Sequence, residues 1–102
     1  MSSREERLAR NEVLFRSVNE RIAELANDQL EDVLHILCEC ARVGCETMIT
    51  VPVDDYDRVR KHQRRFLLKP GHADPAIEDV VERHEEYDIV QKHADVAVQA
   101  GI

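Results

Sequence analysis

A chain of 102 residues with 43% hydrophobic and 34% charged side chains has the composition of one globular domain and is too apolar for a disordered one. Its formal net charge of -7 repels duplex DNA and anionic membrane surfaces, and two Phe, two Tyr and no Trp leave little aromatic surface for base stacking. No apolar run reaches the ~18 residues of a membrane span and the N-terminus lacks the apolar core of a signal peptide, so a cytoplasmic location is expected.

In chain order, Ser3 followed by Glu6 fits a capping box and predicts a helix over residues 1–28. Leu8, Phe15, Val18, Ile22 and Leu25 recur at three- and four-residue steps, which makes them the expected core-facing stripe. Glu12, Arg16, Asn19, Glu20 and Glu24 fall on the other faces. Asn27-Asp28 is the stop signal.

Residues 33–37 are apolar and β-compatible, and predict a strand that runs into Cys38. Residues 41–44 form a tight connection, with Gly44 free to take a positive φ, and residues 47–51 return as a second strand that Pro52 ends. Asp54, Tyr56, Val59 and the basic residues up to His62 suit a short helix, acidic at its start and cationic at its end. Residues 65–69 read as a strand, broken by Pro70-Gly71-His72 and Asp74-Pro75. Residues 77–83 and 87–91 form a last hairpin, although Glu85-Glu86 is poor turn chemistry. Residues 94–102 read as a loose tail. The fold class is α+β: a long N-terminal helix packed on a small antiparallel sheet, with a cysteine-bearing hairpin and one short helix. The whole chain, 1–102, is one domain, and residues 33–93 are its metal-binding, β-rich part.

All three cysteines fall within residues 38–45. An odd, clustered set in a chain without an export signal argues against a disulfide framework. Alternation along a strand projects Cys38 and Cys40 to one side, and the turn returns Cys45 towards them. Zinc takes four N or S ligands, so a histidine completes the set. His72, on the Pro-Gly turn directly after a strand, is the expected fourth ligand, ahead of His35, His62, His84 and His93. Glu39 lies between two ligands on the opposite strand face and reads as solvated, so it is not a candidate base. With three thiolates on the metal, no HExxH, no phosphate loop and no triad spacing, the expectation is a non-enzymatic protein with structural zinc.

The run from Asn11 to Ile22, then Cys38-Glu39-Cys40 with Cys45, Tyr56, Val59-Arg60 and Pro70-Gly71-His72, resembles a group of small bacterial proteins with no assigned activity. That resemblance spans residues 10–93 and implies joint importance for the cysteine cluster and the PGH turn. A three-Cys, one-His set is also similar to the CDGSH domains, which hold a 2Fe-2S cluster, but here the histidine is far from Cys45 and no CDGSH segment occurs, so an iron-sulfur protein with these three Cys and one His as ligands stays as the alternative behind zinc.

Two functional classes follow. One is an interaction or regulatory module that holds a protein partner through the N-terminal helix or the cationic stretch Arg58, Arg60, Lys61, Arg64, Arg65 and Lys69, a homodimer through that helix being one form of it. The other is a zinc-thiolate redox or metal sensor. Duplex nucleic acid and membrane are disfavoured as partners.

Overall fold

The computed structural model describes residues 4–27, 32–40, 42 and 44–102. Ser3 and Asp28, on which the start and stop signals of the first helix partly rest, lie outside these, as do Ala41 and Val43 of the cysteine turn. The elements run α1 (Arg4–Asn27), β1 (Val33–Leu37), β2 (Met48–Pro52), α2 (Val53–Arg60), β3 (Arg65–Leu68), β4 (Glu78–Arg83), β5 (Asp88–Lys92) and α3 (Ala94–Gln99). This is the expected α+β fold, antiparallel throughout. The strands form two sheets where one was expected: β1-β2, and β3-β5-β4 with β5 in the middle. Beyond Leu37 the chain no longer ladders with β2 except through the Cys38 amide on the Thr47 carbonyl. It turns towards β3 instead, where the Glu39 amide donates to the Leu67 carbonyl at 2.8 Å.

Pro52 ends β2 and also starts α2, whose first turn carries Asp54 and Asp55 and whose last turn carries Arg58 and Arg60. That charge order matches the helix dipole. The last hairpin forms despite Glu85-Glu86. The His84 amide donates to the Tyr87 carbonyl at 2.9 Å, and the two rings stack with centroids 4.5 Å apart. A bulge at Val81 shifts the register between Val80 and Glu82.

The main core lies between the two sheets and α2, built from Leu34, Ile36, Ile49, Val51, Tyr56, Val59, Leu67, Tyr87 and Ile89. The expected loose tail is instead helix α3. Val96 and Ala97 are buried, Val96 packs with Ala9 and Ile77, and Ile102 packs against the cysteine cluster. An apolar i, i+1 pair in a six-residue segment carries too little periodicity to announce such a helix.

The orientation of α1 also departs from the expected one. Its buried face is Ala9, Glu12 and Asn19, flanked by Val13, Arg16, Ala23 and Ala26, while Leu14, Val18 and Leu25 are 61%, 42% and 51% exposed. Of the expected stripe, Leu8 and Ile22 do reach core clusters. The polar residues turn inward because each meets a counterpart. Glu12 pairs with Lys92, which also pairs with Glu78 at 2.7 Å. Asn19 bonds the edge of β1. Arg16 and Lys92 both sit over the Phe66 ring, each 4.6 Å from its centroid.

Candidate metal centre

The cluster is assembled from two places. Cys38, Cys40 and Cys45 come from the connection between β1 and β2, and His72 from the turn after β3. The Cys45 amide donates to the Arg42 carbonyl at 3.3 Å, closing a turn in which Gly44 has φ +82°. The His72 amide donates to the Lys69 carbonyl at 3.1 Å across Pro70 and Gly71, and Gly71 has φ +83°. Proline followed by a positive-φ glycine is the sequence a type II turn needs. The Gly71 amide in turn donates to Asp88 at 3.2 Å, which pins the turn to β5.

These two turns bring all four expected ligands together: the three sulfurs and a ring nitrogen of His72 lie within 4.8 Å of one another. His72 Nδ1 is 3.5 Å from Cys38 Sγ and 3.7 Å from Cys45 Sγ. A tetrahedral ion with zinc-like bond lengths separates a nitrogen and a sulfur ligand by about 3.6 Å. No disulfide links the cysteines. The arrangement is therefore compatible with a metal site.

The surroundings favour deprotonated sulfur at one end and neutral imidazole at the other. A hydrogen bond from Cys40 and one from the Lys69 amide, the latter at 3.1 Å, hold Cys38 below its ordinary pKa against the opposing effect of burial. Cys40 is pushed up, by Cys38 first and by burial second. Burial lowers His72, helped by the nearby Arg42 and Lys69 cations, and neutral imidazole is the form that binds metal. Cys38 and Cys40 are buried, whereas Cys45 and His72 are half-buried. His72 and Arg42 line a cleft of about 530 Å³.

Glu39, expected to be solvated, is fully buried. Its carboxylate accepts from the Leu67 amide at 2.9 Å, from Asn19 at 2.7 Å and from Arg60. It ties the cysteine segment to β3, α1 and α2 at once. Alternation does place it opposite the sulfurs, but that side is the interior of the domain. The signal that could have found it is Arg60 on α2, the one cation of the basic stretch whose position matches the apolar face of Tyr56 and Val59. Arg60 lies over the Tyr56 ring at 4.7 Å and is not a surface docking residue. Arg58 is likewise engaged, with Glu82 at 2.5 and 3.0 Å. The other histidines lie outside the cluster: His35 bonds Thr50, His84 pairs with Glu82, His93 faces Asp79, and His62 is exposed. Among the described residues, no helix is long and apolar enough to cross a membrane.

No protein family, curated protein or solved structure gives a significant match to this chain.

Proposed function

We propose that Cys38, Cys40, Cys45 and His72 hold one zinc ion whose role is structural, in a small non-enzymatic interaction or regulatory module. The observation that carries this reading is the convergence of three sulfurs and an imidazole nitrogen within 4.8 Å. Soft thiolates with one imidazole suit zinc, and four protein ligands close the coordination sphere, as structural sites require. The compact set also favours one ion over a 2Fe-2S cluster, which spreads its ligands over two metals and their bridging sulfides. When bound, zinc supplies a crosslink between the β1-β2 connection and the turn after β3. The chain itself contributes the Lys69 amide bond to Cys38 and the Glu39 anchor.

One observation favours a second reading, a thiolate redox sensor. Cys45 and His72 are only half-buried, and His72 borders an open cleft, so an oxidant can reach one side of the cluster.

Elemental analysis of the purified chain tests the first reading, with one zinc per chain as the expected result. Cys45→Ser should lower zinc content and, by about 10 °C or more, the melting temperature together. His72→Ala should do so less, because water can take the fourth position, and His62→Ala should change neither. Thiol counts and zinc release after mild peroxide separate the two readings: a sensor gives up its zinc as thiols are lost, and a structural site retains both.

A further inference from the structure

We propose that the solvent face of α1 is a self-association surface, on which a second copy of this chain docks its own α1 in antiparallel orientation. The helix is amphipathic the wrong way round for a lone chain. Glu12 and Asn19 are fully buried, whereas Leu14, Val18 and Leu25 stand in solvent. Those three, with Arg21, follow the 4-3-4 spacing of a two-helix seam, and half-buried Phe15 and Ile22 border it. Scattered exposed apolar residues are ordinary, but three aligned on the outward face of one helix mark a candidate interface.

Charge chooses the occupant and its direction. The exposed face carries Arg4, Arg7 and Arg10 in its first half, and Glu20 and Glu24 outnumber Arg21 in its second, where Arg21 bonds Glu24 at 3.0 Å within the helix. Arg7 and Arg10 also have interactions of their own. A parallel copy sets like charges against like. An antiparallel copy with its two-fold axis near Ser17 puts Leu14 of each chain beside Val18 of the other. It also brings Leu25 against the stem of Arg7, and Arg10 to Glu24 at both ends. In such a two-fold contact every pair occurs twice. One helix pair covers less than the roughly 800 Å² per partner of a standard interface, so the affinity is micromolar, about 10–100 µM. The surface does not depend on which metal the cluster holds.

Sedimentation equilibrium of the metal-loaded full chain from about 5 to 500 µM reads this out. The mass should rise from 11.8 kDa towards twice that value. Val18→Glu should weaken association at least tenfold while leaving the melting temperature unchanged, because Val18 touches no core cluster. Arg10→Glu should weaken it about threefold to tenfold at low salt, and the Arg10→Glu/Glu24→Arg double variant should restore it. A monomer at every concentration would overturn the proposal, as would a dimer indifferent to Val18→Glu or a charge swap without rescue. A monomer that instead binds anionic vesicles would overturn it in favour of a lipid surface.

Discussion

Glu39 shows how one residue can hold the cysteine segment in place from the side opposite its sulfurs. Burial raises its pKa, while Arg60, Asn19 and the Leu67 amide oppose that shift by stabilising the carboxylate. Taking one partner from a buried pair leaves the other charge uncompensated, at a cost of about 3–5 kcal/mol. Glu39→Met should therefore destabilise the domain by that amount in chemical denaturation, and Arg60→Met by a similar amount. The Glu39→Met/Arg60→Met pair should cost clearly less than the sum of the two singles, because neither charge is then stranded. Additive losses would show that the two residues act separately. The cysteine spacing was legible in the sequence because CxC followed by a turn glycine constrains where sulfurs can point. The burial of Glu39 was not, because it depends on Asn19 and Arg60, each some 20 residues away, and no local pattern records that meeting.

At the scale of elements, α1 is docked by polar contacts with the strand edge beside the apolar packing of Ala9, Val13, Ile22 and Ala23. The Asn19 amide group accepts from the Leu37 amide at 2.9 Å and donates to the Leu37 carbonyl at 2.8 Å and to Glu39 at 2.7 Å. It takes the place of a neighbouring strand along β1. Three such bonds in a mostly buried setting contribute about 2–4 kcal/mol, so Asn19→Ala should lower the melting temperature by about 10 °C or more. Asn19→Asp should cost more than Asn19→Ala, because it sets a second carboxylate against Glu39. The reverse order would mean that packing, not the amide bonds, docks the helix. The existence and length of α1 were readable from its three- and four-residue apolar steps, as were all five strands from their composition and turn signals. The face it buries was not readable. Periodicity assigns apolar residues to the inside, and here ion pairs and an amide bridge turn the polar side inward.

Across the whole molecule, two devices join pieces distant in sequence: the buried Glu12-Lys92-Glu78 group and the cysteine-histidine cluster. In the first, burial pushes the Glu78 carboxyl up to about 7, against the Asp74 amide that donates to it at 2.9 Å, and burial pulls Lys92 down to about 7. His93 opposes the shift of Glu78 in a minor way. A carboxyl whose folded pKa is raised favours the folded state at low pH, and that contribution is lost as pH rises through the folded value. The stability difference between wild type and Glu78→Gln should therefore shift against wild type by on the order of 2 kcal/mol between pH 4.5 and 7, then level off. A difference flat across that window would show that Lys92 keeps Glu78 ionised throughout. The second device tests the account most directly. Structural zinc contributes about 10–16 kcal/mol of apparent binding free energy, comparable to or larger than the roughly 5–15 kcal/mol that stabilises an ordinary domain. The decisive measurement is the melting curve of the wild-type chain, with its zinc content, before and after exhaustive treatment with a strong chelator under reducing conditions. One zinc per chain that leaves with a drop of tens of degrees in melting temperature is the expected result, and a metal-free chain that melts identically in both would contradict it.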